Sequence, residues 1–297
     1  MRLSLAFSPC PNDTYIFHAL VTGLVTAAAN GPASEDLEFD VTLADIEALN
    51  GMAAAGAVDV AKISYAAYGL LADDYVLLRS GGALGSGVGP LVVSRRPDID
   101  LTGKRVAVPG GRTTATLLLR LLRSDLELVE MRYDAIMPAV AAGSVDAGLI
   151  IHESRFTYQD HGLHSLVDLG AWWEGEVGHL VPLGAIVARR SLGPAVHAAL
   201  TGLIRASLEY ANLAPQVAEG YIAAHAQEMA PAVRQRHIDL YVNRYSLEVG
   251  ERGEAAVREL LTRAVDMGLF ASVPATLFAS AEVPTGGAAV AEQPAWR

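Results

Sequence analysis

Cysteine is almost absent from this sequence, and basic residues are scarce. Cys10 is the single cysteine among 297 residues, so the chain can form no internal disulfide. Lysine and arginine number 22 against 33 acidic residues, which gives a formal net charge of −11. No basic run exceeds the pairs Arg95-Arg96 and Arg189-Arg190. This charge balance disfavours nucleic acid and anionic membrane surfaces as partners.

Long apolar stretches are also missing. No uninterrupted apolar segment reaches the ~20 residues that a bilayer-spanning helix needs. The first apolar run is short and is broken at Ser8-Pro9, so it does not have the pattern of a signal peptide. We therefore expect a cytoplasmic protein. A hydrophobic fraction of 52% with 19% charged residues is typical of a chain that buries a large core, and the length suffices for two domains.

The most informative pattern lies in residues 142–158. Residues 148–151 form a short apolar run that predicts a buried strand of a parallel sheet, and His152 follows directly. In open α/β sheets, ligands bind outside the carboxyl ends of the strands. An imidazole at that position can act as an acid or a base near neutral pH. We therefore interpret His152 as a candidate general base, with a buried structural histidine as the alternative.

This pattern occurs twice. Residues 55–65 resemble residues 142–152, and each segment closes a stretch in which strands and helices alternate. The predicted β-α-β-α-β units comprise residues 3–7, 15–25, 37–43, 46–55 and 60–64, and then residues 105–108, 115–123, 126–132, 134–142 and 147–151. The repetition predicts two similar α/β lobes.

A glycine-rich stretch, residues 80–90, separates the two units. The apolar segments 91–94 and 183–189 have strand character and predict two crossings between the lobes. We therefore expect a discontinuous first lobe, residues 1–90 with 186–297, and a second lobe, residues 91–185. Clefts between such lobes are common ligand sites.

The C-terminal third is predicted to be helical. Spacing typical of helices that pack on the first lobe occurs in residues 193–212, 215–228, 230–241 and 251–267. Residues 272–297 lack periodicity and are expected to form a mobile tail.

Two loops run into predicted helix starts, at residues 8–14 and 110–114. Helix N-termini bind carboxylates and phosphates, so we expect the two loops to face each other across the cleft. Asn12, Asp13 and Thr14 are suitable N-caps, and capping alone is favoured for Asp13. Ligand contact is favoured for Thr113 and Thr114, because the preceding glycines admit close backbone approach.

The third strand of the first unit ends at Lys62, Ile63 and Ser64, which correspond to the strand end before His152. Ser64 is expected to hydrogen-bond a ligand, and Lys62 either pairs with an anion or is a surface charge. His161 and His164 lie in no metal-binding pattern, so no metal site is expected.

Two long motifs resemble a known family. Residues 8–14, Ser-Pro-Cys-Pro-Asn-Asp-Thr, and residues 148–158, Gly-Leu-Ile-Ile-His-Glu-Ser-Arg-Phe-Thr-Tyr, are similar to motifs of the 1,4-dihydroxy-6-naphthoate synthases. These enzymes act on cyclic dehypoxanthine futalosine in the futalosine route to menaquinone. Residues 62–68, 79–85 and 168–173 also fit, and the resemblance covers roughly residues 1–270.

The resemblance implies a two-lobe α/β fold, similar to type II periplasmic solute-binding proteins, with a central cleft between the lobes. It implies a lyase without a cofactor that binds a small carboxylate and uses His152 as its base. The implied substrate contacts, with Asn12 of the first loop added as a candidate, are Lys62, Ile63, Ser64, Thr113, Thr114 and Ala115. Because free imidazole has a pKa of ~6.5, activity is expected to rise with pH through about that value unless Glu153 or Arg155 shifts it.

Two other classes of protein stay open at this point. One is a solute-binding protein that captures a carboxylate without turnover, although such proteins are usually exported. The other is the ligand-sensing module of a regulator, although no helix-turn-helix or basic patch is evident. The oligomeric state is not determined by the sequence, and a homodimer is one alternative.

Overall fold

Two β-sheets organise the chain. The computed structural model describes residues 1–25, 37–226 and 230–280. Within these ranges, the strands of the first sheet are β1 (Arg2–Phe7), β2 (Glu38–Leu43), β3 (Val60–Ser64), β4 (Tyr75–Leu77), β5 (Ala83–Gly85) and β11 (Val181–Arg189). Those of the second sheet are β6 (Leu91–Ser94), β7 (Arg105–Val108), β8 (Glu127–Glu130), β9 (Ala147–Ile150) and β10 (His164–Asp168).

Helices connect and cover these strands. They are α1 (Pro11–Val21), α2 (Ile46–Ala54), α3 (Tyr65–Tyr68), α4 (Thr114–Leu122), α5 (Tyr133–Ala142), α6 (Ser154–Thr157), α7 (Leu169–Val177), α8 (Pro194–Leu213), α9 (Pro215–His225), α10 (Pro231–Tyr241), α11 (Arg244–Leu247) and α12 (Gly250–Asp266). The predicted helix at 215–228 ends at His225, and residues 227–229 lie outside the described ranges. No described helix is long and apolar enough to cross a membrane.

The two sheets repeat one topology. The first has the order β2-β1-β3-β11-β4, and the second has the order β10-β6-β9-β7-β8. In each, the unit's first strand lies between the other two and pairs with them in parallel. An antiparallel strand then flanks the third strand: β11 beside β3, and β6 beside β9. The predicted β-α-β-α-β order is therefore confirmed in both halves.

Strands β6 and β11 lie near the points where the chain passes between the sheets. Strand β6 belongs to the second sheet and β11 to the first. Strand β11 begins at Val181, where Val181 pairs with Gly85 and Ala185 with Ile63. Residues 181–185 therefore lie in the first sheet, whereas the prediction assigned them to the second lobe. The remaining lobe boundaries stay a prediction.

A close backbone approach joins β10 and α7 to the stretch that precedes β6. A Cβ atom on Gly170 would lie 1.9 Å from the Val88 carbonyl oxygen, so no side chain fits there. Gly89 has a φ of +151°, which few residues with side chains adopt. The glycines of this stretch are therefore required for tight packing between segments.

Helix α1 begins four residues earlier than predicted. Its N-cap is Cys10, and Pro11 occupies the first helical position, which proline favours. Asn12, Asp13 and Thr14 lie inside the first turn, so the prediction that Asp13 serves only as the N-cap is wrong. By contrast, Asp45 does cap α2, accepting from two backbone N–H groups.

Buried side chains connect the two sheets. One apolar cluster contains Ala6 and Ile63 of the first sheet together with Val106 and Leu149 of the second. Trp173 belongs to it, is fully buried and donates its indole N–H to the Leu180 carbonyl oxygen at 2.9 Å. Helices α8, α9 and α10 pack on α1.

Residues 277–279 pack against the first sheet. Leu77 of β4 donates its N–H to the Leu277 carbonyl oxygen at 3.1 Å, and its own carbonyl accepts from the Ala279 N–H at 2.8 Å. Leu277, Phe278 and Ala279 are all buried. The expected mobile tail is therefore wrong for this segment, and residues 281–297 lie outside the described ranges.

This packing predicts a measurable loss of stability. Phe278 is 6% exposed, and truncating a buried phenylalanine to alanine costs roughly 3–5 kcal/mol. Phe278→Ala should lower the free energy of unfolding in urea by about 3 kcal/mol. Leu70→Ala, at a position that is 60% exposed, is the control and should change it by less than about 0.5 kcal/mol. An equally small change for Phe278→Ala would show that the segment does not pack.

Candidate active site

A cavity lies between the two sheets. Both halves of the chain contribute to its wall. The lining residues include seven of the eight candidates from the sequence, namely Asn12, Lys62, Ser64, Thr113, Thr114, Ala115 and His152. Ile63 is not among them. Its side chain belongs to the hydrophobic core, because successive side chains of a strand point to opposite faces of the sheet.

His152 follows the carboxyl end of β9 in an uncommon backbone conformation. Its φ is +56°, and it is the only non-glycine residue with a positive φ in the described part of the chain. Such a conformation costs about 1–3 kcal/mol and is enriched at functional sites. The Tyr133 ring meets the imidazole edge-on at 5.1 Å, and the His237 ring stacks on it at 6.0 Å. The imidazole is therefore held by packing where the strand ends.

The surroundings of His152 keep its imidazole neutral. Desolvation lowers the pKa of His152 to about 4, and the Lys62 ammonium lowers it further, while Asp13 and Asp45 act in the opposite direction. The expectation of a pKa near the free value is therefore wrong. Neither Glu153 nor Arg155 causes the shift. Arg155 is bound to the Gly89 carbonyl oxygen and the Asp168 carboxylate instead.

A buried ion pair lies in the cavity wall. The Lys62 ammonium is 2.9 Å from Asp13 Oδ1, and both side chains are 3% exposed. Lys62 also donates to the Gly81 carbonyl oxygen at 2.8 Å. Asp13 accepts from the Ser8 hydroxyl at 2.7 Å and from Asn12 Nδ2 at 2.9 Å. Lys62 is therefore not a surface charge, and its positive charge is offset within the protein.

Ser64 lies at the end of β3, beside this pair. Its N–H donates to Asn50 Oδ1 at 2.8 Å, and its hydroxyl oxygen accepts from Asn50 Nδ2 at 3.2 Å. Asn50 therefore fixes the position of Ser64. With the oxygen already accepting, the hydroxyl can donate its proton to a ligand in the cavity.

The start of α4 faces Ser64 from the second half. Thr113 caps the helix by accepting from the Thr116 N–H at 3.2 Å, and its hydroxyl donates to the Gly110 carbonyl oxygen. The Thr114 hydroxyl donates to the Leu183 carbonyl oxygen at 2.8 Å and accepts from the Ala66 N–H at 3.1 Å. Both hydroxyls thus have protein partners. The first backbone N–H groups of α4 have no acceptor within the helix, so they are available to an anion.

Contacts around the cavity link the two halves of the chain. Arg112 donates its backbone N–H and its guanidinium to the two carboxylate oxygens of Glu47, each at 3.2 Å. Burial raises the pKa of Glu47, and Asn50 and Arg112 partly offset this. With the bonds of Thr114, these contacts hold the start of α4 against α2, α3 and β11.

Two residues of α10, His237 and Tyr241, escaped the sequence analysis. Tyr241 lines the cavity, and His237 is fully buried beside it. They lie four residues apart, the spacing of one helix face. In the sequence, this face is indistinguishable from the apolar side of a packing helix. The only local signal was a histidine at a core position.

Cys10 does not take part as a nucleophile. Its thiol is buried, and burial raises its pKa well above the ordinary value, with the Glu153 carboxylate adding to the effect. The thiol therefore stays protonated at neutral pH, when only the thiolate would be reactive.

Comparison with known proteins places this geometry in a family. A family profile described as menaquinone biosynthesis matches residues 3–266. A 1,4-dihydroxy-6-naphthoate synthase of Thermus thermophilus is 52% identical over 276 residues, which cover 93% of this chain and 98% of the relative. A protein of the same name from Streptomyces coelicolor is 51% identical and covers 90% and 94%, respectively.

Solved structures agree on the fold. A crystal structure of a protein from Archaeoglobus fulgidus is 37% identical, has a TM-score of 0.83 and covers 91% of this chain and 98% of that one. The alkanesulfonate-binding protein of Xanthomonas axonopodis pv. citri, bound to MOPS, is 16% identical with a TM-score of 0.68, over 94% and 96%. The predicted two-lobe, periplasmic-binding-protein-like α/β fold is therefore confirmed.

The relatives also decide between an enzyme and a binding protein. Both curated relatives carry the name of a biosynthetic synthase and match over nearly their whole length, so the protein is an enzyme. The likeness to the sulfonate-binding protein is one of fold alone. On the family profile and the two relatives together, the chain belongs to the menaquinone-biosynthesis family that contains the 1,4-dihydroxy-6-naphthoate synthases.

Proposed function

We propose that the protein converts cyclic dehypoxanthine futalosine into 1,4-dihydroxy-6-naphthoate, with release of a three-carbon fragment. The observation that carries this proposal is the His152 imidazole, held at a positive φ in the wall of a cavity between two sheets. Support comes from relatives of about half identity that are named for this product. The reaction is a lyase step, in which a carbon–carbon bond breaks after a proton is removed.

His152 is the proposed general base. A base must be unprotonated to accept a proton, and desolvation, which lowers the pKa of His152 to about 4, keeps it so at neutral pH. The electron pair left on the substrate then drives the fragmentation. Aromatisation of the product supplies the driving force, so the step requires no redox cofactor.

The ion pair between Lys62 and Asp13 affects the energy of protonated His152. When His152 gains a proton, the Asp13 carboxylate attracts the new charge and the Lys62 ammonium repels it. Burial makes the imidazolium costly as well. The proton is therefore held only briefly, which suits a base that must be regenerated after each turnover.

The substrate carboxylate is proposed to lie between the start of α4 and Ser64. The first N–H groups of α4 and the Ser64 hydroxyl face the cavity from opposite halves of the chain. A helix N-terminus favours a negative charge. This placement would orient the substrate against His152.

Replacing His152 tests the role of the base. Asparagine tolerates a positive φ and keeps hydrogen-bonding capacity, so His152→Asn should fold normally while losing basicity. We expect kcat to fall by about 10²–10⁴, with little change in substrate affinity. Both kcat and KM are obtained from product absorbance during incubation with cyclic dehypoxanthine futalosine. The matched control is His161→Asn at an exposed position, which should keep wild-type kcat.

Near-wild-type kcat for His152→Asn would remove His152 from the mechanism. Absence of turnover by folded wild-type protein would instead favour binding of a carboxylate without catalysis.

The pH dependence of activity tests the surroundings of His152. Because its pKa is lowered to about 4, the neutral imidazole persists on acidification, and kcat/KM should stay nearly constant from pH 7 to about 5 before it falls. The free energy of unfolding, unlike kcat/KM, should change with pH in this range. The unfolded chain binds this proton at a pKa of ~6.5, so stability should fall as pH drops from that value towards 4.

Two measurements check this prediction. The acid limb of kcat/KM should lie well below pH 6, and a limb centred near 6.5 would contradict the shift. In urea, His152→Asn should lose less stability than wild type between pH 7 and pH 5, because one proton-binding site of the unfolded chain is gone.

Removal of the Ser64 hydroxyl tests the carboxylate site. Ser64→Ala should raise KM roughly tenfold, since a hydrogen bond to a charged group contributes about 1.5–3 kcal/mol. The fold should survive, because Asn50 keeps its bonds to the Ser64 N–H and to Glu47. Ser94→Ala is the control, a buried serine of the second sheet outside the cavity wall. An unchanged KM for Ser64→Ala would place the carboxylate elsewhere.

A further inference from the structure

We infer that His237, which does not line the cavity, is a positioning residue for the proposed reaction and acts through the side-chain amide of Asn12. His237 Nε2 lies 2.8 Å from Asn12 Oδ1, and Asn12 lines the cavity. His237 belongs to α10 and Asn12 to α1, so the bond fixes a residue of the cavity wall from outside that wall. This inference rests on the proposed function.

The neighbouring ion pair determines the orientation of the amide. Asp13 Oδ1 faces the Lys62 ammonium at 2.9 Å, so this carboxylate oxygen is an acceptor. The Asn12 atom 2.9 Å from it must therefore be the donor Nδ2. Oδ1 then faces His237, and an oxygen that only accepts requires a proton on Nε2. The tautomer of His237 thus follows from the charge of Asp13.

The other contacts of His237 favour an uncharged ring. The ring is fully buried, stacks on His152 at 6.0 Å and lies 4.7 Å from the Tyr241 ring. Burial lowers the pKa of His237 well below the usual value, and nearby His152 lowers it further. Nδ1 is 3.7 Å from Glu153 Oε2, which is longer than a hydrogen bond but within ion-pair distance, so this carboxylate opposes the effect of burial. Because His237 is neutral, it places no second positive charge beside the one that His152 acquires when it accepts a proton.

The fixed amide offers the substrate a donor of defined direction. Nδ2 of Asn12 carries two hydrogens, and the bond to Asp13 uses one of them. Without the His237 donor, Oδ1 would be buried without a partner, and the amide would turn or shift to satisfy it. Because small misplacements of positioning groups reduce the rate strongly, the loss should appear in catalysis rather than in the fold alone.

A set of variants separates the hydrogen bond from the packing of the ring. His237→Phe keeps a ring but removes the donor, and we expect kcat/KM to fall about tenfold. His237→Gln keeps an N–H donor and should recover activity to within roughly threefold of wild type. His18→Phe is the matched control: His18 is also buried, lies on α1 and does not line the cavity, and its replacement should leave kcat/KM unchanged.

A double-mutant cycle with Asn12 tests the route of the effect. If His237 acts through Asn12, adding His237→Phe to Asn12→Ala should cause no further loss of kcat/KM. Losses that multiply in the double variant would mean that His237 acts independently, and the inference would be wrong. Equal activity of His237→Phe and wild type would also overturn it, while the proposed function would stand.

Nitrogen NMR of the wild-type protein provides a test that does not depend on turnover. With ¹⁵N-labelled histidine, His237 should be neutral and protonated at Nε2 at pH 7, and His237→Gln identifies the signal. A proton on Nδ1, or an imidazolium, would overturn the inference. If wild type fails to convert cyclic dehypoxanthine futalosine, the proposed function fails, and this spectrum alone decides whether His237 fixes Asn12.

Discussion

The buried ion pair between Lys62 and Asp13 is the interaction on which the cavity depends. It connects β3 with α1, and each partner makes further hydrogen bonds, to the Gly81 carbonyl oxygen and to Ser8 and Asn12. A buried charge is tolerated only when it is paired and hydrogen-bonded. The pair also orients the amide of Asn12. Loss of either charge would therefore leave the other uncompensated and disturb the neighbouring wall.

Repetition of one topology explains why the chemistry gathers at this place. Strands β3 and β9 occupy equivalent positions in the two sheets, and their carboxyl ends lead to Ser64 and His152. One end contributes a hydroxyl that Asn50 fixes, and the other an imidazole held at a positive φ. The same fold in a sulfonate-binding protein shows that the architecture alone does not define a function.

Sequence reasoning succeeded where the signal was local or repeated. The alternation of strands and helices predicted both sheets, and strand ends identified Ser64 and His152. It failed where the position of a residue depends on contacts between segments that are far apart in the sequence. Residues 277–279 have no periodicity, yet pair with β4 because an open strand accepts backbone hydrogen bonds from any sequence. Ile63 lies on the predicted strand, but its side chain points into the hydrophobic core and not into the cavity, because successive side chains of a strand alternate between the two faces.

The sequence by itself determined the α/β class, the paired units, the family resemblance and seven residues of the cavity wall, because these follow from periodicity and from motifs of neighbouring residues. Only the tertiary structure decided the charge state of His152, because desolvation and the opposing effects of Lys62 and Asp13 depend on groups far apart in the chain. It also brought His237 to Asn12 across 225 positions. No local pattern encodes such a contact, since it arises from how helices pack on a sheet.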